Sequence, residues 1–506
     1  MNLKQIGLLL LVIPLFLTCG SQPGRGGKSG SGIVLTIGDK IDLSEMVPAR
    51  VSAENRTWES SDPDVASVNQ NGVVTAVSFS AGGTSRFSPQ NPATGTAVIT
   101  VRSGNSSHSF SVTATMVPQT DMLTLPPMKD TFKDFFLMGN IIRGPNEISG
   151  SGANARINNQ RLVHHYNAIT AENHMKPGYL VTGRNASTGA FSWNTENRNF
   201  ADNLINAANN AGMKVIGHTL LWHSQNPDWV WNQIAGRDGT RIADRNQALA
   251  IMRAYITEVA SRYKGKIYSW DVLNEIFPDN ASGTNWETSM RRGAQGEGQA
   301  ANPWLIAIGP DFVYEAFLAT RLADPEAILY YNDYNTDMPV RAMLIRNMVN
   351  DVNTRYLALP ANQKPAGEAR GRLLIEGIGM QEHHNNGITA ARISTTINLF
   401  RPLGVKLAVS ELDIIAFSNY REFSNAGGTG VNNHNISNVT NTALLIQANR
   451  YREYMGVYLA NSDIIERVTL WGVVDSQSWR SRGLPLLFDH YGRAKPAYYH
   501  FVGALP

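Results

Sequence analysis

The chain has 506 residues, 42% of them hydrophobic, and is therefore long enough for more than one globular domain with a buried core. Its formal net charge is only +3 and it contains no basic run, so the sequence gives no indication of a nucleic-acid partner. The presence of a single cysteine excludes an internal disulfide bond.

The N-terminal stretch predicts export. Residues 1–19 contain the apolar run Ile6–Leu17, which is too short for a comfortable membrane span and is typical of a signal peptide. The position of Cys19 after this run resembles a bacterial lipoprotein signal, in which that cysteine is lipidated. Thr18 departs from the usual Gly or Ala, so ordinary cleavage without a lipid stays open. Residues 20–32 are rich in glycine and lack apolar side chains, which predicts a flexible linker.

Residues 33–117 are predicted to form a small all-β domain. Short segments rich in Val, Thr and Ser alternate with turn residues, and Asn71–Gly72 is a strong hairpin signal. The run Trp58–Ala76 and the alternating segment Gly95–Val101 resemble the bacterial Ig-like domain of group 2, a small β-sandwich. The stretch has no histidine cluster or row of aromatic residues, which favours a spacer over a binding module.

From about Thr120 onward, apolar strand-like segments alternate with helix-like segments. A helix is predicted over Asn199–Ala211, because its apolar residues have helical spacing and Gly212 follows where a helix usually ends. Eight strands separated by helices predict an α/β fold, a (β/α)8 TIM barrel over residues 120–506 behind the N-terminal all-β sandwich. The predicted barrel strands are Phe135–Ile142, Ala168–Glu172, Val215–Leu221, Ile267–Leu273, Ile328–Asn332, Leu373–Gly379, Val405–Ser410 and Val468–Gly472.

Two of these apolar segments carry acidic residues. The run Leu407–Ile415 contains Glu411 and Asp413 two residues apart, so both side chains are expected on the same face of a strand. Upstream, another apolar strand ends in Asn274 and Glu275. A surface strand end with solvated acids is the alternative for the first run alone. Two glutamates at the ends of two buried strands are what glycoside hydrolysis requires, one as nucleophile and one as proton donor.

Polar and aromatic side chains also follow other predicted strands, on the loops that form the active site of a TIM barrel. His218 and His223 do not define a metal site, because no third ligand has matching spacing; a hydrogen bond to substrate or to a carboxylate is the preferred interpretation. Glu172, Asn173 and Lys176 follow the second strand and could contact sugar hydroxyls. A solvated start of a helix is an equal alternative for this segment. The candidate residues are Glu172, Asn173, Lys176, His218, Trp222, Gln225, Gln381, His383, Trp471 and Trp479.

Together these segments resemble the glycoside hydrolases of family 10, the endo-β-1,4-xylanases, over the whole predicted barrel. The combination of the W-D-V-x-N-E run and the S-E-L-D run is highly specific. The resemblance implies that Glu275 is the general acid/base and Glu411 the nucleophile. It also implies that Asn274 holds the sugar 2-hydroxyl and that His383, oriented by Asp413, lies beside the nucleophile. The other candidates match the glycone-side lining of the cleft.

The expected function is that of an exported, lipid-anchored retaining endo-β-1,4-xylanase, which acts on xylan and xylo-oligosaccharides without a metal or cofactor. A β-1,4-glucanase is the alternative among enzymes, because xylose and glucose differ by one hydroxymethyl group. A carbohydrate-binding protein with an inactive barrel is the alternative outside enzymes, and the presence of both Glu275 and Glu411 argues against it. The Ser-, Asn- and Gly-rich stretch Phe417–Thr442 departs from the family pattern; it is expected to rim the cleft and leaves aglycone-side specificity open.

Overall fold

The computed structural model describes residues 33–36, 40–77, 94–115, 120–293, 301–425 and 439–505. The predicted signal peptide with Cys19 and the predicted linker lie outside the described residues, as do residues 426–438. The chain forms two compact units, each with its own hydrophobic core. Within the described ranges, no helix is long and apolar enough to cross a membrane.

The first unit is built from strands in two sheets. Its strands are β1 (Ile33–Thr36), β2 (Lys40–Asp42), β3 (Thr57–Ser60), β4 (Ala66–Val68), β5 (Val73–Ala76), β6 (Thr94–Ser103) and β7 (Ser106–Thr115). One sheet has the order β1-β7-β6-β3 and the other the order β2-β5-β4. Side chains from both sheets, including Trp58, Val74 and Val112, join one buried cluster, which fits the predicted Ig-like sandwich. The predicted hairpin joins β4 to β5, and Gly72 adopts a φ of +83° there.

The second unit contains a closed barrel. Its strands are β8 (Leu137–Ile142), β9 (Ile148–Ser149), β10 (Arg156–Ile157), β11 (Ala168–Ala171), β12 (Gly183–Arg184), β13 (Phe191–Ser192), β14 (Lys214–Leu221), β15 (Ser269–Asn274), β16 (Ile328–Asp333), β17 (Gly377–Met380), β18 (His383–Asn385), β19 (Lys406–Ile415) and β20 (Ile465–Leu470). Eight of them are parallel neighbours in the order β17-β16-β15-β14-β11-β8-β20-β19, and β17 also pairs with β19. This pairing closes the ring and confirms the predicted TIM barrel. The eight are called the first to eighth barrel strands in chain order.

Helices separate the barrel strands and bury their apolar sides in the same core. They are α1 (Met128–Thr131), α2 (Gln160–His165), α3 (Pro177–Leu180), α4 (Thr195–Asn210), α5 (Asp228–Gln233), α6 (Arg245–Arg262), α7 (Pro303–Ile308), α8 (Phe312–Ala323), α9 (Pro339–Leu357), α10 (Ala390–Phe400), α11 (Tyr420–Asn425), α12 (Asn441–Ala460) and α13 (Pro496–Val502). The predicted helix before Gly212 corresponds to α4, which begins after the capping side chain of Asn194. Gly212 follows it with a φ of +69°, a conformation that favours glycine.

The sixth barrel strand is shorter than predicted. It begins at Gly377, although the apolar run starts at Leu373 and both Leu374 and Ile375 are buried. The backbone N–H groups of Leu374 and Ile375 donate to Asn353 Oδ1 at 3.0 and 2.8 Å, respectively. The side chain of Asn353 on α9 therefore accepts the hydrogen bonds that a neighbouring strand would otherwise accept. An apolar sequence pattern alone does not distinguish a strand from a buried segment of this kind.

The seventh barrel strand is longer than the predicted Val405–Ser410, because it continues to Ile415. Beyond the main barrel sheet, the short strand β18 provides a parallel partner, with His383 opposite Asp413. Glu411 consequently lies within a hydrogen-bonded strand rather than on a loose loop. The rigid support of a strand limits how far its carboxylate can move.

Candidate active site

A cavity of about 750 Å³ opens at the carboxyl ends of the barrel strands. Every predicted site residue except Asp413 lines it, so residues that are far apart in sequence meet in one place. Asp413 is fully buried behind His383. The cavity is also lined by residues that the sequence analysis did not single out: Ser224, Asp279, Tyr334, Asn335, Tyr420 and Arg480.

Glu275 follows the fourth barrel strand, and donors hold both of its carboxylate oxygens. Trp222 Nε1 donates to Oε2 at 2.8 Å, and Gln381 Nε2 donates to Oε1 at 2.8 Å. Asn274 Nδ2 donates to Oε1 at 3.2 Å. The backbone of Glu275 has a φ of +56°, a conformation that is uncommon for a residue with a side chain and that often occurs at functional sites. The carboxyl group is thus presented to the cavity in one orientation.

Glu411 and Asp413 contact the two nitrogens of one imidazole. His383 Nε2 lies 3.2 Å from Glu411 Oε2, and His383 Nδ1 lies 3.0 Å from Asp413 Oδ2. Asp413 also accepts a hydrogen bond from Trp479 Nε1 at 3.2 Å and pairs with the buried guanidinium of Arg480. Both acids face the same imidazole, as their spacing on the strand predicted.

The neighbouring charges control the protonation of His383 and Glu411. Burial alone would lower the pKa of His383, but the carboxylates of Asp413 and Glu411 outweigh burial and raise it to about 9. Burial would raise the pKa of Glu411, yet the hydrogen bond from His383 and the positive charges around it bring that pKa below its ordinary value. Glu411 is therefore ionised and His383 protonated near neutral pH.

Asn332, at the end of the fifth barrel strand, connects the two glutamates. Its Nδ2 donates to Glu411 Oε1 at 2.8 Å and to Asn274 Oδ1 at 2.9 Å. Ser410 Oγ donates to Asn332 Oδ1 at 2.6 Å, which orients the amide. Since Asn274 also contacts Glu275, a continuous chain of amides extends from one carboxylate to the other.

A second cluster lies on the loops after the second and third barrel strands. Lys176 Nζ donates to Asn173 Oδ1 at 3.0 Å, and Gln225 Nε2 approaches the same oxygen at 3.4 Å. Lys176 also lies over the ring of Trp222, 4.9 Å from its centroid. Burial raises the pKa of Glu172, although Arg143 at 3.7 Å and Lys176 oppose the effect. The cluster combines a flat aromatic face with donors and acceptors, the combination that binds a sugar.

His218 and Trp471 line the same cavity and contact each other. His218 Nδ1 lies 2.9 Å from Asp271 Oδ2, and its ring meets the edge of Trp471 with centroids 5.6 Å apart. His218 thus bonds a carboxylate, as the sequence analysis preferred. Among the residues that the structure describes, no group of three or more His, Cys, Asp or Glu side chains could hold a metal ion.

Three of the residues that sequence reasoning did not assign lie close to the catalytic groups. Asn332 belongs to the polar segment Tyr331–Asn335 after the fifth strand, so its position was a usable indication. Arg480 directly follows Trp479, but only the fold brings it to Asp413. Tyr420 lies on the stretch that departs from the family pattern, where no motif indicates the direction of a side chain.

The family model described as glycosyl hydrolase family 10 matches residues 128–504, most of the chain. A crystal structure of a bacterial Ig-like domain containing GH10 xylanase from termite gut is 50% identical, with a TM-score of 0.74, over 94% of this chain and 98% of that chain. The resemblance to that structure therefore extends beyond the barrel.

Curated relatives agree with this match. An endo-1,4-beta-xylanase of Geobacillus stearothermophilus is 30% identical over 75% of this chain and 98% of its own length. Endo-1,4-beta-xylanase A of Thermotoga maritima is 31% identical over 75% of this chain, which spans only 31% of that longer relative. With the family model, the barrel and the paired glutamates in agreement, the chain belongs to glycosyl hydrolase family 10.

Proposed function

We propose that the chain is a retaining endo-β-1,4-xylanase with Glu411 as nucleophile and Glu275 as general acid/base. The observation that carries the proposal is the difference between the two carboxylates of one cleft. Glu411 is kept ionised by His383 and its neighbours, whereas Glu275 is held by the neutral donors of Trp222 and Gln381. The ionised Glu411 is therefore prepared for attack, and Glu275 lies in the same cavity, where it can serve as the proton donor.

The reaction follows from this arrangement. In the first step a Glu411 oxygen bonds the anomeric carbon while the glycosidic C–O bond breaks, and Glu275 gives its proton to the departing oxygen. In the second step the Glu275 carboxylate takes a proton from water, the water oxygen bonds the anomeric carbon and the bond to Glu411 breaks. Two inversions leave the configuration of the sugar unchanged.

Neighbouring residues support these steps. Asn274 is placed by Asn332 and Gln381 and would donate to the 2-hydroxyl of the sugar beside Glu411. Asp413 holds His383 on its far nitrogen and so keeps the near nitrogen directed at Glu411. The glycone would be bound by the cluster around Lys176, which contains Glu172, Asn173, Trp222 and Gln225, and by Trp471 and Trp479. These are our proposed substrate-binding residues.

The substrate class is tested by comparing the release of reducing ends from xylan and from soluble cellulose. A xylanase should be at least about tenfold more efficient on xylan, whereas the reverse order would identify a β-1,4-glucanase. The variant Glu275→Gln serves as the background. Binding of xylan without release of reducing ends, by the wild type as by the variant, would instead indicate a binding protein with an inactive barrel.

We further propose that the chain is exported and anchored to a membrane by a lipid on Cys19. The support is the resemblance of residues 1–19 to a bacterial lipoprotein signal. In the bacterium, Cys19→Ala should leave active enzyme but remove it from the membrane fraction. Retention of the variant on membranes would refute the lipid anchor.

A further inference from the structure

Glu382 and His384 are two buried residues of the segment that carries Gln381 and His383 into the catalytic cavity. The four residues alternate along the chain: Gln381 and His383 line the cavity, whereas the other two do not. Glu382 is 1% exposed, and its Oε2 lies 2.7 Å from His384 Nε2. A buried carboxylate costs free energy unless its hydrogen bonds or its charge compensate, so the presence of this pair calls for an explanation.

Glu382 occupies a strained point of the backbone. Its φ is +59°, in the left-handed region that a residue with a Cβ seldom adopts. Such a conformation persists only where the surrounding contacts determine it. Besides His384, the hydroxyl of Tyr458 on α12 donates to Glu382 Oε2 at 3.0 Å, and that of Thr336 donates to Oε1 at 3.4 Å. These hydrogen bonds fix the carboxylate and, with it, the left-handed backbone.

The left-handed residue lies where the register between two strands changes. Met380 of β17 is opposite Val409 of β19, and His383 of β18 is opposite Asp413 of the same strand. Two residues therefore separate the paired positions on one side and three on the other, so the register shifts by one residue. Glu382 is one of the two residues within this shift.

The register shift determines what faces the two catalytic glutamates. Within it, the N–H of Glu411 donates to the backbone oxygen of Gln381 at 3.1 Å. The side chain of Gln381 donates to Glu275 Oε1 at 2.8 Å, and His383 Nε2 lies 3.2 Å from Glu411 Oε2. The two chain neighbours of Glu382 therefore each contact one of the two glutamates.

Resting on the proposed function, we propose that Glu382 is a positioning residue for the reaction. Its carboxylate, fixed by its buried partners, holds Gln381 and His383 against the two catalytic glutamates. Glu382 itself does not line the cavity and acts through the backbone on either side of it. Because small displacements of reacting groups lower a rate strongly, a residue that holds two of their contacts at once should influence catalysis without touching the substrate.

The groups around the Glu382–His384 pair have partners of their own. The charged and titratable ones are Asp337, Arg392, Tyr454, Tyr458 and Arg480. Asp337 lies 2.7 Å from a guanidinium nitrogen of Arg392, and Arg480 donates to the backbone oxygen of His384 at 3.1 Å. Burial raises the pKa of Asp337, and His384 acts against this effect. Replacement of Glu382 therefore removes one acceptor from a network whose other members stay paired.

The acid limb of the kcat/KM profile distinguishes positioning from a purely structural role. Burial would raise the pKa of Glu411, and the hydrogen bond from His383 is the largest influence that lowers it. His218 and Lys176 also lower it, but a change at Glu382 leaves both in place. A residue that only stabilised the fold would change the amount of active enzyme and leave the position of the limb unaltered.

Glu382→Ala should move the acid limb on xylohexaose upward by about 0.5 pH unit or more. It should also lower kcat about tenfold with little change in KM, because the substrate-binding residues are retained. Glu382→Gln keeps the length of the side chain and an oxygen acceptor, so its limb should stay within about 0.2 pH unit of the wild type. Glu382→Gly removes the same carboxylate but adopts the left-handed backbone without strain, and it replaces the alanine variant if that variant does not fold.

Glu466 provides a matched control at a distance from the cavity. Its carboxylate accepts hydrogen bonds from the hydroxyls of Tyr268 and Tyr330 at 2.6 and 2.7 Å, and it does not line the cavity. Glu466→Ala should therefore lower the stability of the barrel, measured by thermal unfolding, and leave the acid limb where it is in the wild type.

An unmoved limb in folded Glu382→Ala or Glu382→Gly would overturn the positioning role. An equal shift in Glu466→Ala would assign the effect to general loosening of the barrel, and an equal shift in Glu382→Gln would assign it to the lost charge; either would also overturn it. If neither Glu382→Ala nor Glu382→Gly folds, Glu382 determines the fold rather than the site, and the inference fails. If the wild type does not cleave xylohexaose, the proposed function itself fails.

Discussion

Glu411 and Glu275 have the same side chain but different neighbours. Glu411 is 5% exposed and is contacted by His383 and Asn332. Glu275 is more open to the cavity and receives hydrogen bonds from Trp222 and Gln381. A positive charge next to a buried carboxyl stabilises its ionised form. The ionised state of Glu411 is therefore a property of the residues around it.

The pKa of His383 leads to a prediction about stability. Because this pKa is raised to about 9, the folded protein holds the proton more tightly than the unfolded chain, in which it titrates near 6.5. The resulting stabilisation is fully present below pH about 6.5 and is lost as the pH rises through about 9. At about 1.4 kcal/mol per pKa unit it amounts to roughly 3 kcal/mol.

The measurement is the free energy of unfolding of the wild type relative to His383→Gln as a function of pH. We expect the advantage of the wild type to decrease between pH about 6.5 and 9. A difference between the two proteins that stays constant over that interval would contradict the proposed protonation of His383.

Asn332 is predicted to control the protonation of Glu411. In Asn332→Asp, a second carboxylate takes the place of the amide that lies 2.8 Å from Glu411, and a like charge disfavours the ionised nucleophile. The acid limb of the kcat/KM profile should move upward by about one pH unit. Asn332→Ala is the control, because it removes the hydrogen bond without adding a charge and should move the limb less than Asn332→Asp does. An unshifted limb in Asn332→Asp would refute this role.

At the scale of the element, the loop after the eighth barrel strand depends on a buried ion pair. Lys495 Nζ lies 2.9 Å from Asp475 Oδ2 and donates to the backbone oxygens of Leu484 and Leu486 at 2.6 and 2.7 Å. Burial raises the pKa of Asp475 to about 6, against the attraction of Lys495. This pair joins the two ends of the loop that carries Trp479.

Lys495→Met should destabilise the second unit by about 3–5 kcal/mol, because it removes the positive charge that balances the buried carboxyl group of Asp475. The double variant Asp475→Asn/Lys495→Met removes both charges and should recover part of that loss. Calorimetric unfolding of the wild type, the single variant and the double variant measures the effect. A single variant as stable as the wild type, or a double variant no better than the single one, would contradict the account.

The elements also show what the sequence could predict. All eight predicted barrel strands overlap observed ones, because buried parallel strands are continuous apolar runs. Their ends were less predictable: the start of the sixth depends on Asn353 and the extension of the seventh on β18. Likewise, Glu275 and Glu411 follow local motifs, whereas the contact of Asn332 with Glu411 and that of Arg480 with Asp413 join residues 79 and 67 positions apart. Such contacts are created by the closure of the barrel and leave no local pattern.

At the scale of the whole molecule, the residues of the catalytic cavity all belong to the second unit. Removal of residues 1–118 should therefore leave kcat/KM on short soluble xylo-oligosaccharides within about twofold of the full chain. Steady-state kinetics of the two proteins, with circular dichroism to verify folding, measure this. A tenfold loss in a folded variant would show that the first unit completes the cleft.

The proposed mechanism requires that Glu411 forms a covalent bond to the sugar and that Glu275 serves both steps. The most direct test is mass spectrometry of Glu275→Ala mixed with an aryl xylobioside whose phenol is a good leaving group. Such a phenol departs without a proton donor, but water is then not activated, so the intermediate should accumulate. We predict one xylobiosyl group per chain, attached to Glu411. Attachment to another residue, or turnover of this substrate without any adduct, would contradict the account.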